Sequence, residues 1–364
     1  MNSQTIAPYR LLNQQIAATR FTTPGQVVSW LGAMQAQDYA GAKWSIGLRL
    51  PNATDADIEQ AIAGKTIVRT WPMRGTLHFV AAEDIRWMLE LMTPRIIAGS
   101  AGRHRQLELD ETIFARSKDL FATALQGDKR LTRQEMLAVL EDDGIATGGQ
   151  RGYHILWWAA QHGFICFGPM QGKQQTFVWL DDWLPARKQL TRDEALAELA
   201  TRYFTGHGPA TVPDFMWWTG LTAADAKAAL ALAKSQLIHE EVAGQTYWLA
   251  ENIPSLPNDK PDLYLLPGFD EYMLGYKDRS AILDPIHVQK ITPGNNGMFS
   301  STIVIDGRVA GTWQRTFKKN TVSITLKPFT RLSEADSQAI AVAVERYRVF
   351  VNRLEAVQSV LESC

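Results

Sequence analysis

The sequence predicts an α+β protein of three tandem winged-helix units, followed by a C-terminal β-rich segment and a bracing terminal helix. Three observations carry this reading. A run of helical patterns closed by a β-hairpin recurs three times; short strands around Asp306-Gly307 replace helical periodicity beyond about residue 263; and residues 333–360 carry one long helical pattern. Identity between the repeats is slight, so the repeat is one of pattern rather than of residues. The expected boundaries are 1–110, 111–187 and 188–258 for the three units, and 259–364 for the β-rich segment with its helix.

Taken in order, residues 10–20 read as a first helix. Thr23-Pro24-Gly25-Gln26 then supplies an N-cap, a proline at the first helical position and a glutamine that completes a capping box. Val27, Val28, Leu31 and Met34 follow at helical spacing, and Gly41 marks the end of the next turn. A third helix is expected over 55–63, and 66–80 as two strands folded back through Pro72–Gly75. In the second unit, helices are expected from Leu131-Thr-Arg-Gln-Glu to near Gly144 and over 150–162, with a hairpin over 164–180. In the third, helices over 191–204, 212–218 and 223–235 precede a hairpin over 237–249 with Ala243-Gly244 at its tip. Beyond it, 301–305 and 308–313 flank Asp306-Gly307, a strong two-residue hairpin signal, and 321–326 reads as a further strand.

The 364 residues are enough for two to three domains, and 46% hydrophobic with 21% charged residues is ordinary for a globular protein. A net charge of −1 announces no nucleic-acid partner, so basic charge for such a partner must be concentrated on one face. The only cysteines, Cys166 and Cys364, make neither a disulfide framework nor a zinc site, and fit a reducing cytoplasm. The N-terminus shows no signal-peptide pattern, and no apolar run approaches the length of a membrane span. The seven histidines are scattered without HExxH or paired metal spacing, and Gly148-Gly-Gln-Arg-Gly152 lacks the Gly-Lys-Ser/Thr ending of a P-loop. No cofactor and no metal are therefore expected.

Gln35-Ala-Gln37-Asp38 is the segment most open to a chemical reading. Two residues apart, side chains diverge on a helix but share one side of an extended strand. With the apolar stripe ending at Met34, both amides are free to face one cleft, where each offers an acceptor and two donors to orient a water or a sugar oxygen. A pair of solvated amides at a helix end is the plainer alternative. The hairpin carrying Arg69, Trp71, Arg74 and His78 reads equally as a wing on DNA phosphates and groove or as core aromatics with ion-paired arginines. Between residues 307 and 332 lie six basic residues (Arg308, Arg315, Lys318, Lys319, Lys327, Arg331) and no acidic one, with Trp313, Phe317 and Phe329 interleaved, a pattern suited to a nucleic-acid backbone or to a solvated face. A smaller basic cluster is Arg95, Arg103, His104 and Arg105. Asp270 and Glu271 are expected to be structural partners of Lys277 and Arg279.

Taken together, Gln35-Ala-Gln37-Asp, Arg74-Gly-Thr-Leu-His78, Gly208-Pro-Ala-Thr-Val-Pro-Asp-Phe215, Leu266-Pro-Gly-Phe-Asp-Glu-Tyr272 with Lys277-Asp-Arg-Ser280, and Asp306-Gly-Arg-Val-Ala-Gly-Thr-Trp313 resemble the winged-helix DNA glycosylases of the AlkZ and YcaQ type over nearly the whole chain. The resemblance implies three tandem winged helices forming a basic concave surface, and excision of alkylated bases and unhooking of interstrand crosslinks in duplex DNA. Gln-x-Gln is the catalytic element of the AlkZ branch and Gln-x-Asp that of the YcaQ branch, so the implied catalytic residues are Gln35 and Gln37. A β-hairpin in the DNA cleft, matched to 303–313, is implied as well. DNA-contacting residues are then expected among Arg69, Trp71, Arg74, His78, Arg308, Trp313, Arg315, Lys318 and Lys319, in a monomeric cytoplasmic protein found on the nucleoid when bound to DNA. A winged-helix regulator without chemistry is the competing class. Gln150-Arg-Gly-Tyr-His and 223–235 are poor in base-reading side chains, which weakens it, and the near-neutral charge keeps an interaction scaffold as a third reading.

Overall fold

A computed structural model of the protein describes residues 1–186, 188–251, 263–295 and 297–360. The architecture is mixed α+β, and the chain divides into two compact units, Met1–Ile58 with Ala197–Cys364, and Glu59–Leu196. Cys364 lies outside the described residues. Among the described residues no helix is long and apolar enough to cross a membrane.

In the 59–196 unit, strands Ile67–Met73 and Thr76–Ala81 form an antiparallel hairpin whose turn places Arg74 (φ 54°) and Gly75 (φ 69°) in the left-handed region, as a two-residue turn requires. Arg69 pairs opposite Phe167, which joins this hairpin to strand Ile165–Phe167; Thr176–Trp179 and then the short Leu131–Thr132 follow on that side of the sheet. Helices Glu111–Leu125, Arg133–Asp142 and Arg151–Gln161 bury Phe121, Leu125, Met136, Leu140 and Ile155 together with Trp71 and Phe167. The helix at 133 starts where Thr132 and Glu135 exchange the reciprocal bonds of a capping box. Three helices that the sequence pattern does not announce, Ile85–Gly99, Ala101–Gln106 and Glu111–Leu125, fill the interval between the first hairpin and it. The first contains Pro94, which reads as a breaker and is here carried inside the helix.

His104 is buried in this unit, with its ring edge-on to Phe114 and to His154. Burial, and then the neighbouring His154 and His162, hold its pKa below the usual 6.5, and burial lowers that of His154 too. A histidine kept neutral in the fold protonates first in the unfolded chain, so stability present above about pH 6.5 declines as pH falls from there towards the folded pKa. The thermal midpoint is expected to drop between pH 7.5 and pH 5, and the drop to shrink in His104→Phe; an equal drop in that variant would assign the effect to other groups.

In the other unit the first helix is Ile6–Asn13 and not 10–20, because the chain reverses at Gln15 (φ 61°) and the amides of Ile16 and Ala17 return to the carbonyl of Leu11. Thr23 and Gln26 make the expected capping box on helix Pro24–Leu31. Helices Arg192–Gly206, Val212–Thr219 and Ala223–Ala233 precede the hairpin Leu237–Val242/Gln245–Ala250, which turns through Ala243 (φ 51°) and Gly244 (φ 77°). A five-stranded sheet follows, with Leu263–Leu266, Thr302–Ile305, Arg308–Phe317 and Thr321–Pro328 antiparallel and Glu355–Val360 parallel at one edge. The terminal helix therefore runs only over Glu334–Phe350; Asn352 (φ 50°) turns the chain, the amides of Leu354 and Glu355 reach the carbonyl of Asn320, and residues 355–360 continue as a strand. That helix does brace the sheet: Tyr347 meets Trp313 and Trp44 edge-on, and Phe350 packs on Trp44.

Candidate active site

Helix Pro24–Leu31 stops at Gly32 (φ 77°), and residues Ala33–Gln35 continue as a short strand. Met34 and Ala36 point into the core, at 1% and 0% exposure, whereas Gln35 is half-buried and Gln37 exposed. Buried Met34 and Ala36 thus anchor the segment, and Gln35 and Gln37 are its accessible residues, the strand ending at Gln35 and the chain bending at Gln37. Asp38 then opens helix Tyr39–Gly47, accepting the amide of Gly41 at 3.1 Å. Gly41 is therefore inside a helix rather than at the end of a turn. A Cβ there would run into the Asp38 carboxylate, so the cap needs the glycine. The second oxygen of Asp38 pairs with Arg315 at 3.1 Å, which brings one residue of the basic stretch to the Gln-Ala-Gln segment.

Beneath the segment lies a buried polar network. Asp270 and Glu271 follow strand Leu263–Leu266, and their side-chain partners include residues far from the Lys277 and Arg279 expected from the sequence. Asp270 takes a two-point contact from the Arg49 guanidinium, 2.9 Å on each side, and accepts the Ser45 hydroxyl at 2.6 Å; Asp270 and Arg49 are fully buried. Glu271 accepts the backbone N–H of Gln35 at 3.0 Å, the indole N–H of Trp218 at 2.7 Å, and lies 3.2 Å from His207 Nε2. The amides of Lys277 and Asp278 instead reach Asp214, and Arg279 donates to the Met273 carbonyl. Sequence spacing favours the nearby cations at 277 and 279; these side-chain partners of Asp270 and Glu271 come from 53 to 236 residues away, where no local pattern can show them.

The other predicted residues divide by burial. Arg69, Trp71 and His78 are buried within the 59–196 unit: Trp71 packs on Phe167, the Arg69 guanidinium lies 4.9 Å from the Phe167 ring centre, and Arg74 reaches His78 at 3.3 Å. Trp71 and Leu77 are thus core, the plainer of the two readings of this hairpin. Trp313 is 1% exposed and gives its indole N–H to the Leu266 carbonyl, so it serves the sheet core. Arg308, Lys318, Lys319 and Lys327 are exposed. Asp306 and Gly307 form the tight turn, with φ of 47° and 79°, but this turn is braced against the protein: Tyr272 donates to the Gly307 carbonyl at 2.6 Å, and Gly307 abuts Ala7. The open end of the neighbouring hairpin, Arg308–Phe317 with Thr321–Pro328, carries Lys318 and Lys319 instead. Among the described residues, no group of three or more His, Cys, Asp or Glu is arranged to hold a metal ion.

The family model of the AlkZ-like DNA glycosylases matches residues 28–350. The chain belongs to this family. An AlkZ-like protein is an enzyme acting on N-glycosyl bonds, and the match spans both the glutamine segment and the Asp270-Glu271 turn beneath it. A curated relative, the interstrand DNA cross-link repair glycosylase of Streptomyces sahachiroi, is 27% identical over 335 residues, covering 84% of this chain and 86% of the relative. The solved structure of the Streptomyces sahachiroi DNA glycosylase AlkZ superposes with a TM-score of 0.83 over 99% of this chain and 100% of that one, at 22% identity, which establishes the AlkZ fold for this α+β chain.

Proposed function

We propose that this AlkZ-like enzyme is a monofunctional glycosylase that hydrolyses the N-glycosidic bond of cationic alkylated purines in duplex DNA, N7-alkylguanine foremost, and that crosslinked adducts are among its substrates. The observation that carries the reading is the Gln35-Ala-Gln37 segment, in which two accessible neutral amides flank buried Ala36 and the Gln35 backbone is tied down by Glu271. Similarity to the Streptomyces sahachiroi cross-link repair glycosylase supports the crosslink arm.

The chemistry asks little acid catalysis of the protein. An N7-alkylated guanine is already positively charged; when the bond from N9 to C1′ breaks, its electron pair neutralises the base, which leaves without being protonated. Oxocarbenium character develops at C1′, and a water on the opposite face supplies the new C–O bond and then loses a proton to solvent. Amide oxygens of Gln35 and Gln37 accept the hydrogens of that water and hold it in line, while their dipoles favour positive charge at the sugar. Neutral amides cannot strip a proton before attack, so unmodified bases are expected to stay in place and full extrusion of a bulky adduct is not required. Asp38, bound to Arg315, adds local negative potential while it caps its helix.

The 1–110, 111–187 and 188–258 segments are read as tandem winged-helix units, each containing one of the hairpins at 67–81, 165–179 and 237–250, with 259–364 as the β-rich part. DNA backbone contact is assigned first to Lys318 and Lys319 at the open hairpin end and to Arg308, while the buried Arg69, Trp71, His78 and Trp313 support the surfaces around them. Replacing Lys318 and Lys319 by Gln is expected to weaken duplex binding irrespective of sequence. The slope of log K against log salt should also fall by about 0.9 for each phosphate that is no longer neutralised. Unchanged affinity and slope in a salt titration would take this hairpin off the DNA path. The function itself is tested by incubating the protein with duplex DNA containing N7-methylguanine in EDTA and scoring abasic sites after alkali. Release of the base is the expected result; release only after a divalent ion is restored would exclude the amide mechanism.

A further inference from the structure

A buried carboxylate takes the backbone N–H of Gln35 where the short strand Ala33–Gln35 ends. Glu271 is 0% exposed, its Oε1 accepts the Gln35 N–H, and its Oε2 receives the Trp218 indole N–H and faces His207 Nε2. A carboxylate only accepts, so it receives the Gln35 and Trp218 N–H groups and favours the His207 tautomer that carries its proton on Nε2. The donors are themselves fixed. The Tyr203 ring stacks on His207 with centres 4.8 Å apart and meets Trp218 at a tilt at 5.1 Å, and both His207 and Trp218 are fully buried. Gly275 closes the other side, where a Cβ would press on the His207 ring at 2.7 Å.

We propose that Glu271 is a positioning residue for the glycosylase reaction, setting the peptide plane at Gln35 so that the Gln35 and Gln37 amides are presented together. The inference rests on the reading of these two glutamines as the catalytic pair. Its physical ground is that the strand at 33–35 is only three residues long. A rotation of the 34–35 peptide would swing the Gln35 side chain and redirect the exit towards Gln37. Misplacing a reacting group by about 1 Å can cost on the order of 10²-fold in rate.

Glu271→Gln keeps the volume but turns one accepting oxygen into an NH2, which then faces the N–H of Gln35 or of Trp218, so at least one contact becomes repulsive. The expected result is a cooperative melt, lesion-DNA affinity close to wild type, and single-turnover excision of N7-methylguanine lower on the order of 10-fold. Combined with Gln37→Ala, the loss should be smaller than the product of the two single losses, because each acts on the same pair. A purely structural role would lower the melting point and leave the rate of the folded fraction unchanged. Wild-type single-turnover rate in Glu271→Gln, or losses that multiply in the double variant, would overturn the proposal. Should Glu271→Gln not fold, Trp218→Phe, which removes one donor to the same carboxylate, takes its place in the same cycle under the same criteria. Wild-type rate in Gln37→Ala alone would instead remove the catalytic pair itself, a failure distinguishable from that of Glu271.

Discussion

Gln37→Ala is expected to lower single-turnover excision of N7-alkylguanine by roughly 10²-fold or more, the scale for removing a positioned polar group from a transition state. Binding to lesion DNA should change far less, because the exposed amide contributes mainly when the water attacks. The substitution leaves the anchors of the segment in place: Met34 and Ala36 stay buried, and the Gln35 N–H keeps its Glu271 acceptor. Folding stability should therefore move by no more than about 0.5 kcal/mol, as for an ordinary surface change. Single-turnover kinetics beside a binding isotherm check this. Wild-type kinetics in the variant would make Gln35 and Gln37 a solvated connection between a strand and a helix.

The second large effect concerns stability. Arg49→Met should destabilise the unit built on residues 1–58 and 197–364 by about 3–5 kcal/mol, the cost of leaving one member of a buried ion pair uncompensated. Arg49 holds both oxygens of Asp270 and also donates to the Gln14 carbonyl and side chain, so its loss strands several buried acceptors at once. Replacing Asp270 by Asn in the same chain should recover part of the loss, since the remaining group is neutral. Denaturant midpoints at constant slope measure the difference. A single variant within about 1 kcal/mol of wild type would show that the Asp270 site relaxes or hydrates without Arg49.

How much of this is legible in the sequence follows from the range of the interactions. Capping boxes at Thr23 and Thr132 and two-residue turns at Ala243-Gly244 and Asp306-Gly307 are local, and they appear where the residues place them. The exit of Gln35 from the helix is legible in part: the stripe carries the helix on to Met34, whereas Gly32 (φ 77°) ends it after Leu31 and Met34 already lies in the strand. What is not legible depends on partners far along the chain. Residues 355–360 look helical beside the preceding helix and become a strand because Thr321–Pro328 offers them an edge. Trp313 looks like a stacking aromatic within a basic stretch, but the sheet and Tyr347 enclose it. Proximity in sequence points Glu271 to nearby cations, whereas folding hands it to Trp218, His207 and the Gln35 backbone. The motif around Glu271 is visible in the residues; its three partners are not.

Two amides suffice for this chemistry because the substrate bond is already weak. The most direct test places N7-methylguanine and a neutral lesion, such as 1,N6-ethenoadenine, at the same position of one duplex and compares their single-turnover release. Release of the cationic base with the neutral base left in place is the predicted result, with the activity lost in Gln35→Ala and Gln37→Ala. Release of both bases at comparable rates would contradict the account, because a neutral leaving group needs protonation that Gln35 and Gln37 cannot supply.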